Sequence, residues 1–145
     1  MNEQRQAITE LLQSDATLKA MLAANKPWWK IGKTDPADQK WSIIPYDQYK
    51  NQVPPFITIQ AGSSNQAGYK LLEDFFFIRC YNASDKTYVS ITDILSRVNV
   101  LLHRHRFNFA GSSSIETLYE TTGPELLDEG YGLKFREARY RLLRI

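Results

Sequence analysis

The sequence of 145 residues has one cysteine, Cys80, so no disulfide can close within the chain. Its place in an apolar run predicts a buried, unreactive thiol. No basic stretch followed by an apolar one opens the sequence. Met1-Asn2-Glu3-Gln4-Arg5 instead begins a polar helix, so no signal peptide is expected. No apolar run approaches the length of a membrane span. Together these absences predict a soluble protein made in a reducing cytoplasm, with no membrane partner. Excess charge is missing too: the formal net charge is +2, too near balance to argue for nucleic acid by itself. What remains is ordinary for a globular chain, 43% hydrophobic and 23% charged, and the length suits one domain spanning residues 1–145.

Residues that carry chemistry are equally scarce. His103 and His105 are the only histidines. Two residues apart at a helix end, they point in different directions, and the ligand count is too low for a metal site. Glu125, Asp128 and Glu129 cluster in a predicted turn but match no calcium loop, and a solvated acidic turn explains them. Ser112-Ser113-Ser114 lacks a strained elbow or an obvious base, and neither a dinucleotide fingerprint nor a phosphate-binding loop occurs. Asn82-Ala83-Ser84 fits a glycosylation pattern, but a helix-capping turn is the stronger reading. Arg104, Arg106, Lys134, Arg136, Arg139, Arg141 and Arg144 gather late in the chain, near Phe107, Phe109, Phe135 and Tyr140. Acidic residues are interspersed among them, so a solvated strand face is expected rather than a nucleic-acid surface. On that reading Arg139→Ala costs less than about 0.5 kcal/mol. No catalytic residue, cofactor or metal is expected.

The informative stretch runs from Leu71 to Leu102. Leu71–Tyr81 is aromatic-rich and reads as a strand. Phe76, Ile78 and Cys80 fall on one face and Phe75, Phe77 and Tyr81 on the other, so both faces need cover. Asn82-Ala83-Ser84-Asp85 supplies turn residues and an N-cap. Ile91, Ile94, Leu95, Val98, Leu101 and Leu102 then form one helical stripe, enough to cover one strand face.

Upstream, residues 3–24 carry Ile8, Leu11, Leu12, Leu18, Met21 and Leu22 at helical spacing, broken at Ser14-Asp15, with Ser14 able to cap a second helix. Residues 25–54 form an extended loop rich in Trp and Pro that holds Trp28, Trp29 and Trp41. Contact with a partner and packing on the chain's own core explain those tryptophans equally well. Pro55–Gln60 reads as a short strand, and Gly62–Gly68 as a flexible polar hairpin tip. Downstream, Ile115–Thr122 and Leu133–Ile145 read as strands. In the last, Ala138, Tyr140 and Leu142 alternate with Glu137, Arg139, Arg141 and Leu143. The order helix, helix, loop, strand, strand, helix, strand, strand predicts an α+β fold: a mostly antiparallel sheet of four to five strands with helices packed on one face.

That order and several local strings resemble the tail-completion and tail-terminator proteins, the head–tail joining group of long-tailed bacteriophages and prophages. The strings are the helix Ile8–Leu22 with its Leu-Leu-x-Ser-Asp break, Pro54-Pro55-Phe56-Ile57-Thr58-Ile59, and a strand ending Arg79-Cys80-Tyr81-Asn82. A helix through Ile94-Leu95-Ser96-Arg97-Val98 and a closing strand Arg139-Tyr140-Arg141-Leu142-Leu143 complete the set. The resemblance implies a structural virion protein of the tail or neck, assembled in the host bacterial cytoplasm, with no catalytic residue and no cofactor. It implies a hexameric ring that completes the tail tube. The partners are the chain itself, the tail tube protein and the head–tail connector protein, with genome DNA passing through the ring unrecognised by sequence. The candidate contact surface is then Phe75, Phe77 and Tyr81, the Trp28-Trp29 pair, and Ser63, Ser64, Asn65 and Gln66 on the hairpin tip, reaching a neighbouring subunit or the tube. Two alternatives are another connector component, an adaptor or stopper, and a non-enzymatic module that binds peptide or carbohydrate through the tryptophan loop.

Overall fold

A computed structural model describes residues 2–24, 43–44, 54–67, 71–84, 87–108, 114–130 and 132–144. Two helices come first, α1 (Asn2–Ser14) and α2 (Ala16–Ala24). Asp15, rather than Ser14, caps the second. Its carboxylate accepts the Leu18 backbone N–H at 2.8 Å, while the Ser14 hydroxyl turns back to the Leu11 carbonyl. Strand β1 (Ile43–Ile44) is followed by a long antiparallel pair, β2 (Phe56–Ala67) and β3 (Leu71–Ala83). Helix α3 (Tyr88–Leu102) comes next, then β4 (Arg106–Phe107), β5 (Ile115–Thr122), β6 (Leu126–Asp128) and β7 (Leu133–Arg144).

The expected α+β architecture is what forms. The four long strands β2, β3, β7 and β5 lie side by side and antiparallel. Short strands extend the sheet beyond the expected four or five to seven, in the order β1-β2-β3-β7-β5-β4 with β6 added to β7. Among the described strands only β1 runs parallel to its neighbour. One expectation is corrected: the polar segment after Gln60 is not a loop. Its backbone stays in β2 as far as Ala67, pairing Ser64–Ala67 with Leu71–Asp74 past an irregularity between Ala61 and Ser64.

The three helices of the described residues pack on one face of the sheet. Ile8, Leu12, Leu18 and Leu22 from α1 and α2 meet Ile91, Ile94, Leu95, Val98 and Leu102 of α3 over Phe76, Ile78 and Cys80 of β3. Ile57, Ile59, Ala138, Tyr140 and Leu142 join the layer from β2 and β7, with Ile43 of β1 and Ile115 of β5. Burying one such aliphatic or aromatic side chain contributes about 1.5–3 kcal/mol, so this layer is the principal source of stability. Tyr140 is fully buried in it, stacked on Phe76 at 5.3 Å, and its hydroxyl donates to Asn99 of α3 at 3.3 Å. Burial pushes its phenol far above the ordinary tyrosine value, so it stays neutral.

Two devices fix the ends of α3. Thr87 occupies the N-cap position without a side-chain cap bond, and Asp85, one of the residues expected to cap, lies outside the described residues. Buried Asn82 instead reaches Ser90 in the first turn at 2.8 Å and ties β3 to the helix. At the other end Arg104 adopts a left-handed conformation, φ 59°, and its N–H bonds the Thr117 carbonyl at 2.7 Å. The Leu102 carbonyl accepts the His105 N–H at 3.0 Å and also the buried Thr117 hydroxyl, so a strand side chain adds a second donor to a helix-end acceptor. Between the helices Arg97 grips Asp15 at 2.7 and 3.0 Å. That hydrogen bonding holds the Asp15 carboxyl below its ordinary value and Arg97 above its own.

Candidate assembly surface

The alternation that sends Phe76, Ile78 and Cys80 to the helices sends Phe75, Phe77, Arg79 and Tyr81 to the opposite face. Register decides what each meets there. Across the β3–β7 ladder Phe75 lies opposite Arg141, Phe77 opposite Arg139, Arg79 opposite Glu137, and Tyr81 opposite Phe135. On the other side β2 sets Phe56, Thr58 and Gln60 against Tyr81, Arg79 and Phe77.

Two zones result. Near the start of β2, Phe56 stacks on Tyr81 at 5.0 Å, and Tyr81 tilts against Phe135 at 5.2 Å. Phe56 and Tyr81 are buried, with Leu133 and Phe135 packed against them as a second small core. In the other zone the Arg139 guanidinium lies 4.0 Å above the Phe75 ring and 6.0 Å from Phe77. Arg79 lies 5.2 Å over Phe135. A guanidinium on an aromatic face is attracted by the ring quadrupole, and its stem covers apolar surface at the same time.

Carboxylates lock those cations in place. Arg79 pairs with Glu137, and Glu120, beside the irregularity in β5, takes both Arg139 and Arg141. Arg141 bonds Glu120 through Nε at 2.8 Å. The Nε of Arg139 sits 3.0 Å from the other carboxylate oxygen but off the hydrogen-bond direction, so that contact is an ion pair alone. Partial burial lowers the Arg79 pKa, but its hydrogen bonds to Tyr81 and Glu137 outweigh this and keep the group above its ordinary value. The charged side of β7 is therefore not a freely solvated face, which corrects the expectation for Arg139.

The predicted contact residues divide accordingly. Phe75 and Tyr81 are buried, at 7% and 2% exposure, while Phe77 remains partly exposed. Ser63, Ser64, Asn65 and Gln66 fall on the extended backbone of β2, not on a loose tip. Trp28 and Trp29 lie outside the described residues. The structure thus brings the three aromatics onto one face but leaves only Phe77 among them part-open. The arginine–glutamate lattice above them is not legible in the sequence. Its only trace is the alternation Glu137-x-Arg139-x-Arg141, whose aromatic partners are set by a ladder to a strand more than fifty residues earlier in the chain.

Of the two histidines, His103 accepts the Tyr119 backbone N–H at 3.1 Å and His105 packs edge-on against Phe107. Among the described residues no group of three or more His, Cys, Asp or Glu is placed to hold a metal ion. Among them, too, no helix is long and apolar enough to cross a membrane.

No family model matches the sequence, and no curated protein matches it. The fold does have solved counterparts. A chain of the structure titled "Virion of native gene transfer agent (GTA) particle" aligns with a TM-score of 0.70. The alignment covers 97% of this chain and 92% of that one at 11% sequence identity. At that identity the likeness is one of fold.

Proposed function

We propose that a chain sharing its fold end to end with a gene transfer agent virion component is itself a structural, non-enzymatic part of a tailed-phage-like particle. The observation that carries this is the extent of the match, which leaves little of either chain unaccounted for. Within such a particle the finer role is tail terminator: a ring, hexameric by the family resemblance, that completes the tail tube and joins it to the head connector. It works in the tail or neck and is assembled in the host cytoplasm, with DNA passing through the ring. The order of elements supports this reading, as do the strings Pro54–Ile59, Arg79–Asn82 and Arg139–Leu143.

The mechanism is one of shape and closure. A ring of identical subunits needs two different patches on each, mated head to tail by a rotation that closes. The part-exposed Phe77, flanked by the Arg139 lattice, gives one patch of mixed apolar and charged character. The β2–β3 hairpin, paired as far as Ala67 and Leu71 past the irregularity between Ala61 and Ser64, gives an arm to reach a neighbour or the tube. Phe75 and Tyr81 then act from beneath, holding the patch in shape. An adaptor or stopper at another joint of the particle would use the same architecture.

The test is electron microscopy of the purified protein in negative stain, alone and with tail tubes of the particle whose genome encodes it. Rings, or caps on tube ends, are the expected result. A protein that stays monomeric and ignores tubes but binds the connector assigns it to the adaptor or stopper position. Failure to bind either refutes the virion role.

A further inference from the structure

Arg136 stands where β7 changes partner. Leu133–Phe135 pair with β6, and Ala138–Arg144 with β5. Its guanidinium bridges the gap on the side facing α3. Nε and Nη2 donate to the Gly123 carbonyl at 3.1 and 3.0 Å, and Nη1 donates to the Thr92 hydroxyl at 3.1 Å. A guanidinium has five N–H donors. These contacts leave one hydrogen on each terminal nitrogen, and among the described residues no carboxylate pairs with Arg136. Arg79, Arg139 and Arg141, on the opposite face, each hold a glutamate.

A cleft of about 230 Å³ opens beside it between α3 and β5. Thr92, Ser96 and Asn99 line it along one face of α3, above Leu95, with Tyr119 and Thr122 opposite. Within it the Tyr119 and Thr122 hydroxyls bond each other at 2.7 Å. The side-chain Oδ1 of Asn99 already accepts from Tyr140, which turns the side-chain N–H₂ to donate elsewhere. Arginine and amide hydrogens are thus in surplus, and no lining residue is acidic.

We propose that this cleft receives a carboxylate, an Asp or Glu side chain presented by a segment of a partner protein. Charge complementarity sets the chemistry, since terminal guanidinium hydrogens match the two oxygens of a planar carboxylate. Size sets the carrier. The cleft falls below the roughly 300–1,000 Å³ of small-molecule sites and suits one or two side chains. A single cation also disfavours nucleic acid, whose binding grows with the number of phosphates neutralised. The site stands on its own geometry, whether or not the protein forms a ring.

The test is TROSY NMR of the intact protein titrated with N-acetyl-glutamate amide, with N-acetyl-glutamine amide and with inorganic phosphate. Saturable shifts at Thr92, Ser96, Asn99 and Thr122 are expected with the glutamate probe, at least about tenfold weaker with glutamine. Ser96→Phe fills the cleft from an exposed helix position whose hydroxyl bonds only its own helix, so the variant folds and loses the response. Arg136→Gln removes it as well. Absent shifts, equal response to glutamine, unchanged binding in Ser96→Phe, or tighter saturation by phosphate would each overturn the proposal.

Discussion

Replacing Arg139 with alanine tests the account of the second sheet face most directly. As a solvated surface residue it would cost less than about 0.5 kcal/mol. The structure gives it three roles at once. Its guanidinium sits 4.0 Å over Phe75, worth about 0.5–1 kcal/mol where partly exposed. Its ion pair with Glu120 adds about 0.2–1 kcal/mol, the low range applying because 41% of the side chain is solvent-accessible. Its stem covers a ring that is otherwise buried. The expected loss for Arg139→Ala is therefore about 1–2 kcal/mol, or about 3–7 °C in Tm for a chain of this size. Urea unfolding at neutral pH measures it, and a double-mutant cycle with Phe75→Leu isolates the ring contact. A loss under about 0.5 kcal/mol, or independent effects of the two substitutions, would refute the reasoning.

Asp15→Asn keeps a competent N-cap but removes the carboxylate that Arg97 holds. Because the folded Asp15 pKa is depressed, its stabilisation is complete above the ordinary carboxylate value of 3.8 and fades as pH falls through the folded value. Parent and variant should therefore differ in urea midpoint at pH 7 and converge towards pH 2; a constant difference at both would show that the pair is not the cause. Thr117→Val removes one of the two donors to the Leu102 carbonyl, which keeps the His105 N–H at 3.0 Å, and should cost about 0.5–1.5 kcal/mol in chemical unfolding, whereas a neutral result would mean that the His105 N–H alone suffices. Phe75→Asp should prevent folding, seen as loss of near-ultraviolet dichroism. Phe77→Asp, at a part-exposed position, should fold and lose assembly by light scattering; assembly equal to the parent's would remove Phe77 from the contact surface.

Those contrasts show which parts of the molecule the sequence discloses. The α3 stripe, the two faces of β3 and the bounds of β5 are legible because apolar periodicity records burial directly. The continuation of β2 through Gly62-Ser63-Ser64-Asn65-Gln66 is hidden, because ladder hydrogen bonds use the backbone and leave no mark on side-chain type. Short β6 is hidden similarly: two exposed leucines beside acidic residues read as a turn until β7 offers them an edge. Ser14 and Asp15 are both good caps one residue apart, and only the partner on α3 chooses between them. The Arg139 lattice and the Arg136 cleft depend on which strand lies beside β7, and periodicity along one strand carries no information about that.

The strand order bears on how the molecule is made. β7 follows both β3 and β5 in the chain, yet it is inserted between them and not added at a margin. Until residue 144 has cleared the ribosome, β3 waits with one hydrogen-bonding edge bare and its aromatics uncovered by arginine. Nascent chains in that interval are the species most exposed to wrong pairing with one another. A cell that makes this protein in quantity would therefore gain from spacing out its synthesis, since completion of each sheet, and not formation of its helices, ends the vulnerable period.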